Sequence, residues 1–115
     1  MEKFLLVIRE DLKKIRDYGE SQKSGDLRLM HEWTKWLMES GNYVDSNPLQ
    51  ASGRYVSRDA VVSDGPFIES KEGVSGYYLI RAESLEQAVS IAQDCPLLKK
   101  GMAVVEVRPL EAAPD

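Results

Sequence analysis

The chain has 115 residues, a formal net charge of -4, 43% hydrophobic residues and 30% charged residues. This length and composition are typical of one globular domain with a modest apolar core. The negative charge and the lack of any lysine or arginine run argue against sequence-independent binding to nucleic acid. The longest apolar run, Phe4 to Ile8, is far shorter than a membrane-spanning helix. We therefore expect one domain over residues 1–110, a tail at 111–115, and neither a nucleic-acid nor a membrane partner.

The cysteine and histidine counts limit the chemistry further. The single cysteine, Cys95, cannot form an internal disulfide, and the N-terminus lacks the pattern of a signal peptide, so we expect a cytoplasmic protein. One cysteine and one histidine cannot build a Cys/His metal site within one subunit, although a carboxylate site for magnesium or calcium stays open. The sequence contains no phosphate-cradling glycine loop and no dinucleotide fingerprint, and we expect no cofactor.

The first third of the chain predicts a strand, a connection and a helix. The continuous apolar run predicts a strand over about residues 3–9. Residues 10–24 are charged with scattered apolar positions, which indicates a connection with room for a helical turn. From Asp26 to Ser40 the apolar residues follow helical spacing, and Gly41 stands where a C-terminal cap belongs.

The rest of the chain completes an alternation of strands and helices. A capping box at Ser84 and Gln87 predicts the start of a second helix, which stops before Pro96. The predicted elements, in chain order, are an edge hairpin formed by residues 43–44, 54–56 and 60–62 with a loop over 45–49, a strand over 76–82, a helix over about 85–94 and a strand over 103–108.

This order predicts an α+β domain with a ferredoxin-like split βαβ sheet and both helices on one face. The first and third strands are apolar on both sides, so a sheet left bare on its far face would expose a large apolar patch. A two-fold arrangement in which two sheets pack face to face would cover that patch. We therefore expect a homodimer.

Several separate blocks resemble the YCII-related family, in the branch marked by an Asp-Gly-Pro-Phe motif. The resemblance covers most of residues 1–110 and is weakest over 10–24. The blocks are Asn47-Pro48-Leu49, the run from Val62 to Glu72 with Asp64-Gly65-Pro66-Phe67, Gly76-Tyr77-Tyr78-Leu79-Ile80, Glu86-Gln87-Ala88, Asp94-Cys95-Pro96 and Val105-Glu106-Val107-Arg108-Pro109.

The resemblance implies the fold of the dimeric α/β-barrel proteins, a group that contains small-molecule isomerases, monooxygenases and degradative enzymes. The wider family includes members for which a His and Asp pair has been proposed as an active site. In this chain, the resemblance implies that the corresponding catalytic residues are His31 and Asp64. Some members of the branch have been labelled as linked to transcription initiation, but nothing in these residues indicates direct promoter contact.

Asp64 has two interpretations that do not exclude each other. Its carboxylate can accept backbone N–H bonds in the Asp64-Gly65-Pro66-Phe67 turn, which is common turn chemistry. It can also face a cleft between the sheet and the first helix as a general acid, a general base or a ligand anchor. His31, the single histidine, lies at the edge of the helical stripe, where a partly exposed boundary position is the alternative to a catalytic one.

We expect the cleft between the sheet and the first helix to bind a small molecule. If the resemblance carries a ligand site, Lys71 would meet an anionic group and Glu72 would orient it, although charged surface is the alternative for both. The tryptophans of the helix either fill the core or line the pocket. The predicted ligand-binding residues are Ser46, Asn47, Ser63, Lys71, Glu72 and Trp33.

Two classes of function remain open at this point. One is binding of a small molecule or its transformation by cofactor-free acid/base chemistry, such as isomerisation or hydrolysis. The other is a non-catalytic interaction or regulatory dimer. The first predicts a concave pocket with polar groups of shifted pKa, and the second predicts a filled cleft with an exposed apolar patch elsewhere.

Overall fold

A computed structural model describes residues 1–62 and 73–112 of the chain. Within these ranges, no helix is long and apolar enough to cross a membrane. The elements, in chain order, are β1 Glu2–Glu10, α1 Leu12–Arg16, α2 Glu20–Glu39, β2 Tyr43–Pro48, β3 Tyr55–Val56, β4 Val61–Val62, β5 Gly73–Ala82, α3 Leu85–Gln93, α4 Pro96–Lys99 and β6 Ala103–Pro109.

Four of the strands form one antiparallel sheet in the order β2-β5-β1-β6. The continuous apolar run of β1 occupies a central position, between β5 and β6. The domain is therefore α+β, and its strand order is compatible with the predicted ferredoxin-like arrangement. The predicted second helix corresponds to α3, and the short α4 begins at Pro96, directly after the predicted stop.

The apolar core lies between one face of this sheet and the helices. Alternation along β1 directs Phe4, Leu6 and Ile8 to that face, where each is almost completely buried. The helical stripe of α2 contributes Leu37 and Trp33, and α3 contributes its small apolar residues. The capping box at the start of α3 is present, because Ser84 Oγ accepts from the Gln87 backbone N–H at 3.1 Å.

The long helix begins earlier than the sequence predicts. The sequence predicts a helix over 26–40, whereas α2 runs from Glu20 to Glu39. Its first turns have no apolar stripe, and polar contacts support them instead: Gln22 Nε2 donates to the Asp26 carboxylate at 3.1 Å. Ser40 and Gly41, with a positive φ of 80° at the glycine, then end the helix as predicted.

The predicted edge hairpin divides into two parts, which corrects the expectation of a loop over residues 45–49. Strand β2 continues through that range to Pro48 and pairs with β5 at the edge of the main sheet. Strands β3 and β4 pair only with each other, around a turn in which Ser57 N donates to Ala60 O. The side chains of Tyr55, Val56 and Val61 are exposed on this separate hairpin.

The other face of the main sheet has no helix packed on it within the described residues. Leu5 and Leu79 are paired neighbours on this face, and Val104 is 54% exposed there. The molecule measures 18 Å along its shortest axis, about the thickness of one sheet and one helix layer. Arg9 and Arg108 both bond the Glu106 carboxylate on this face.

Candidate functional site

A cavity of about 480 Å³ lies between α2 and the face of the sheet formed by β1, β2 and β5. It occupies the predicted cleft between the sheet and the first long helix. Apolar and aromatic side chains form most of its wall, with polar groups at separate places. The wall consists of Ile8, Glu10, Ile15, Tyr18, Lys23, Asp26, Leu27, Met30, His31, Thr34, Tyr43, Ser46, Asn47, Pro48, Leu49, Ser75, Gly76, Tyr77, Tyr78 and Leu97.

Two irregularities in strand pairing bring polar side chains to this cavity. Strand β5 pairs Gly76 with Ile8 and Val74 with Arg9, so that Ser75 is the extra residue of a β-bulge. Its hydroxyl contacts both the Ile8 carbonyl oxygen, at 3.3 Å, and the Glu10 carboxylate. A bulge re-aims side chains in this way, and bulges are common beside functional sites.

The second bulge lies in β2, between the pairs Tyr43 with Ile80 and Asp45 with Leu79. It places Tyr43 and Ser46 on the same wall of the cavity. Their hydroxyl groups are 2.8 Å apart and hydrogen-bonded.

Glu10 is the buried acid of the cavity. It continues the alternation of β1 beyond Ile8 and is 8% exposed. Burial raises the pKa of its carboxyl above the ordinary value; the hydrogen bond from Ser75 opposes this shift, and the negative charge of Asp26 adds to it. The bond from Ser75 uses Oε2, and within the described residues no hydrogen bond uses Oε1.

Tyr18 and Asp26 surround the Glu10 end of the cavity. Burial raises the pKa of Tyr18, and the negative charges of Glu10, Asp26 and Asp11 add to this effect. Asp26 is paired with Lys100, whose Nζ lies 2.8 Å from Oδ1, so this second acid already has a cation as its partner. Glu10 therefore differs from Asp26 in having a hydroxyl rather than a cation as its partner.

A second polar group lies where α2 faces β5. The Tyr78 hydroxyl is 2.5 Å from Thr34 Oγ1, which is also 2.8 Å from the Met30 carbonyl oxygen and donates to it. Burial raises the pKa of Tyr78, while hydrogen bonds with Thr34 and Ser46 oppose the shift. The phenol is thus held in place as a neutral hydrogen-bonding group on the cavity wall.

The predicted site residues fall into three groups. Ser46, Asn47 and His31 line the cavity, with His31 exposed at its rim. Trp33 does not line it; its ring packs 4.7 Å from the Tyr78 ring in the core, and its buried Nε1 has no partner within the described residues. The remaining four lie outside the described residues and are Ser63, Asp64, Lys71 and Glu72. The catalytic pair of His31 and Asp64 therefore stays a prediction.

Sequence reasoning missed Glu10, Ser75, Tyr78 and Thr34 as site residues. The sequence did contain a signal for Glu10. Phe4, Leu6 and Ile8 share one face of β1, and the next position on that face is Glu10. Its charge instead suggested that it belonged to the charged connection. No comparable signal marks Ser75, since its orientation depends on the bulge.

The described residues hold no group of three or more histidine, cysteine, aspartate or glutamate side chains arranged to bind a metal ion. Cys95 is fully buried, and burial raises the pKa of its thiol. A buried neutral thiol is a poor nucleophile, which favours a structural role for Cys95. Among the described residues, the polar groups on the cavity wall are carboxyl, hydroxyl and amide groups together with the side chains of Lys23 and His31.

Comparison with known proteins gives a family and two individual similarities. The family model described as "YCII-related domain" matches residues 13–111. An uncharacterized protein of Rhizobium meliloti (strain 1021) is 40% identical over 60 residues, which are 52% of this chain and 48% of that protein. The chain thus spans about half the length of this curated relative.

One solved structure is similar over 96% of this chain and 95% of its own, with 16% identity and a TM-score of 0.48. It is the 5-chloro-2-hydroxyhydroquinone dehydrochlorinase of Burkholderia phenoliruptrix AC1100, in complex with 2,5-dihydroxybenzoquinone. A likeness at this level carries no argument about the chemistry of this chain.

Proposed function

This chain belongs to the YCII-related family, and we propose that it binds a small organic molecule in its cavity and transforms it by cofactor-free acid/base chemistry. The observation that supports this most strongly is Glu10, a buried carboxyl group on the wall of a mainly apolar cavity. Burial raises the pKa of this carboxyl above its ordinary value, so it holds a proton more readily than a free carboxyl and can serve as a general acid or base. Pockets with such groups are the usual location of active sites.

The size and lining of the cavity support a small-molecule ligand. Its volume of about 480 Å³ lies within the range of ligand pockets, roughly 300–1,000 Å³. The apolar wall can bury the body of a ligand, while the hydroxyl groups of Tyr78, Tyr43 and Ser46 can orient a polar substituent. Glu10 and Ser75 provide a second polar position.

A thermal-shift screen against a metabolite library tests this proposal. It would be run on the wild type, on Leu27→Trp and on Leu85→Trp. Leu27 lines the cavity and is 49% exposed, whereas Leu85 is 44% exposed on α3 and does not line it. A ligand present at 100 times its Kd stabilises the native state by about 2.7 kcal/mol.

We expect stabilising compounds that lose their effect in Leu27→Trp and keep it in Leu85→Trp, because only the first variant places an indole in the cavity. Compounds that stabilise both variants equally would place the ligand elsewhere. A complete absence of stabilising compounds would contradict the proposal.

We also propose that the predicted catalytic pair His31 and Asp64 acts at this cavity, with Lys71 and Glu72 contacting the ligand. Support for this comes from the position of His31 at the cavity rim. The motif residues 64–67 are likewise the basis on which we assign the chain to the Asp-Gly-Pro-Phe branch. Loss of ligand stabilisation in Asp64→Asn, with the fold retained, is the expected result; retention of the full effect would leave Asp64 a turn residue.

A homodimer remains part of the proposal, as does a cytoplasmic location. The sheet face that carries Leu5, Leu79 and Val104 has no covering element within the described residues, and a second copy would bury it. Small-angle scattering at micromolar concentration should give twice the 13.0 kDa mass of the chain. A mass of one chain would contradict the dimer.

A non-catalytic interaction or regulatory dimer is the second candidate, and one observation favours it. The β3–β4 hairpin exposes Tyr55, Val56 and Val61 away from the core, at 55%, 75% and 66%. Exposed apolar side chains on a separate hairpin suit a protein partner. The open cavity favours the small-molecule function instead. The two functions can be distinguished by a pair of variants tested for activity in the cell. Loss of activity in Leu27→Trp would favour the small-molecule function, and loss in a Val56→Ser, Val61→Ser double variant would favour the interaction function.

A further inference from the structure

We propose that the ligand of this cavity is an organic ammonium ion: a protonated amine carried on an apolar or aromatic body, with Glu10 as the carboxylate that binds its charge. This inference rests on the proposed small-molecule function and names the substrate class of the same site.

The first support is the incomplete pairing of Glu10. Among the residues that the structure describes, Glu10 forms no ion pair, and its polar contact is the Ser75 hydroxyl. A buried carboxylate without a cation is costly, and the protein compensates for it by favouring the neutral form. An ammonium group in the cavity would supply the missing cation and the hydrogen-bond donors for Oε1.

Among the residues that the structure describes, the charges around Glu10 disfavour a ligand anion at this position. Asp26 of α2 lies close enough to Glu10 to raise its pKa, and Tyr18 and the neutral thiol of Cys95 add no positive charge. Lys100 is paired with Asp26. Among the described residues of the wall, the basic ones are Lys23 and His31, and both are exposed at the rim rather than buried beside Glu10.

The aromatic composition of the wall points to the same ligand class. Three tyrosine rings line the cavity, and the faces of aromatic rings attract cations by their quadrupole. The apolar residues between them can bury the carbon body of the amine. The three rings are those of Tyr18, Tyr43 and Tyr78.

Three probes of similar size and different charge test the inference: benzylamine, benzyl alcohol and benzoate. Their affinities would be measured by titration of the ¹⁵N-labelled full chain, with backbone shifts followed at Ser75 and Gly76. The variants are Glu10→Gln, which keeps an acceptor for Ser75 but removes the charge, and Glu106→Gln, which removes a carboxylate on the opposite sheet face.

We expect benzylamine to bind at least about tenfold more tightly than benzyl alcohol, a difference of about 1.4 kcal/mol, and benzoate to bind most weakly. Glu10→Gln should remove this preference while leaving the affinity for benzyl alcohol within about twofold, and Glu106→Gln should keep it. In the wild type, the affinity for benzylamine should rise with pH as Glu10 ionises, while that for benzyl alcohol stays constant.

The wild-type pH series keeps the test decisive even if Glu10→Gln fails to fold. Equal binding of the amine and the alcohol, a preference that survives in Glu10→Gln, or an amine affinity independent of pH would each overturn the ammonium inference. If none of the probes binds while the metabolite screen yields compounds sensitive to Leu27→Trp, the inference fails alone. If neither experiment yields a ligand, the proposed function fails with it.

Discussion

Replacing Glu10 with glutamine should make the protein more stable at neutral pH. Glu10 is 8% exposed, and its carboxylate faces a mainly apolar cavity with no cation partner among the described residues. Burial therefore raises its pKa above the ordinary value of 4.5 in the folded state. Glutamine keeps an oxygen that can accept from Ser75 but carries no charge that must be desolvated.

The sign of the pH dependence follows from proton uptake. Between pH 4.5 and the raised native pKa, the folded state binds more protons at Glu10 than the unfolded state, so wild-type stability falls as pH rises. Below pH 4.5 the carboxyl is protonated in both states and the penalty is absent. Above the native pKa the penalty is complete, at about 1.4 kcal/mol for each unit by which the native pKa exceeds the unfolded one.

The measurement is urea unfolding of wild type and Glu10→Gln from about pH 4 to pH 8, with attention to the difference between them. Glu106→Gln is the control with the opposite sign. Hydrogen bonds from Arg108 and Arg9 lower the pKa of Glu106, so its contribution is present at neutral pH and is lost as pH falls. A wild type that gains stability relative to Glu10→Gln as pH rises would refute this account of Glu10.

Three further substitutions test the packing and the hydroxyl network. Gly73→Ala should destabilise the protein by about 1–3 kcal/mol in denaturant unfolding, since the added Cβ would overlap the buried Leu12 side chain. Unchanged stability would contradict so close an approach of Leu12 to this glycine. Gly25→Ala, in α2 with nothing near the new Cβ, should instead stabilise by about 0.5–1 kcal/mol. Thr34→Val should raise the pKa of Tyr78 further in an ultraviolet titration, because the bond that opposes its shift is lost, and a lowered pKa would contradict that role.

Much of the fold could be predicted because hydrophobic periodicity is a local signal. The apolar run of β1, the stripe of α2 and the capping box at Ser84 each identify an element within a few residues of its position. The errors lie where that signal is weak. The early turns of α2 contain no apolar stripe, and β2 reaches Pro48 because its backbone pairs with β5, which composition does not reveal.

The site was less predictable because it depends on long-range geometry. The cleft between sheet and helix follows from the topology, and Ser46, Asn47 and His31 line the cavity found there. The position of Ser75 beside Glu10 requires a bulge and the pairing of strands more than 60 residues apart in sequence. No local pattern records such a contact.

Titration of the Glu10 side-chain carboxyl by ¹³C NMR, with and without a stabilising compound from the metabolite screen, would show whether ligands bind beside this group. We expect a pKa above 4.5 in the free protein and a clear change in that pKa when the cavity is occupied. A bound compound that stabilises the protein but leaves the titration of Glu10 unchanged would contradict a small-molecule site at this carboxyl.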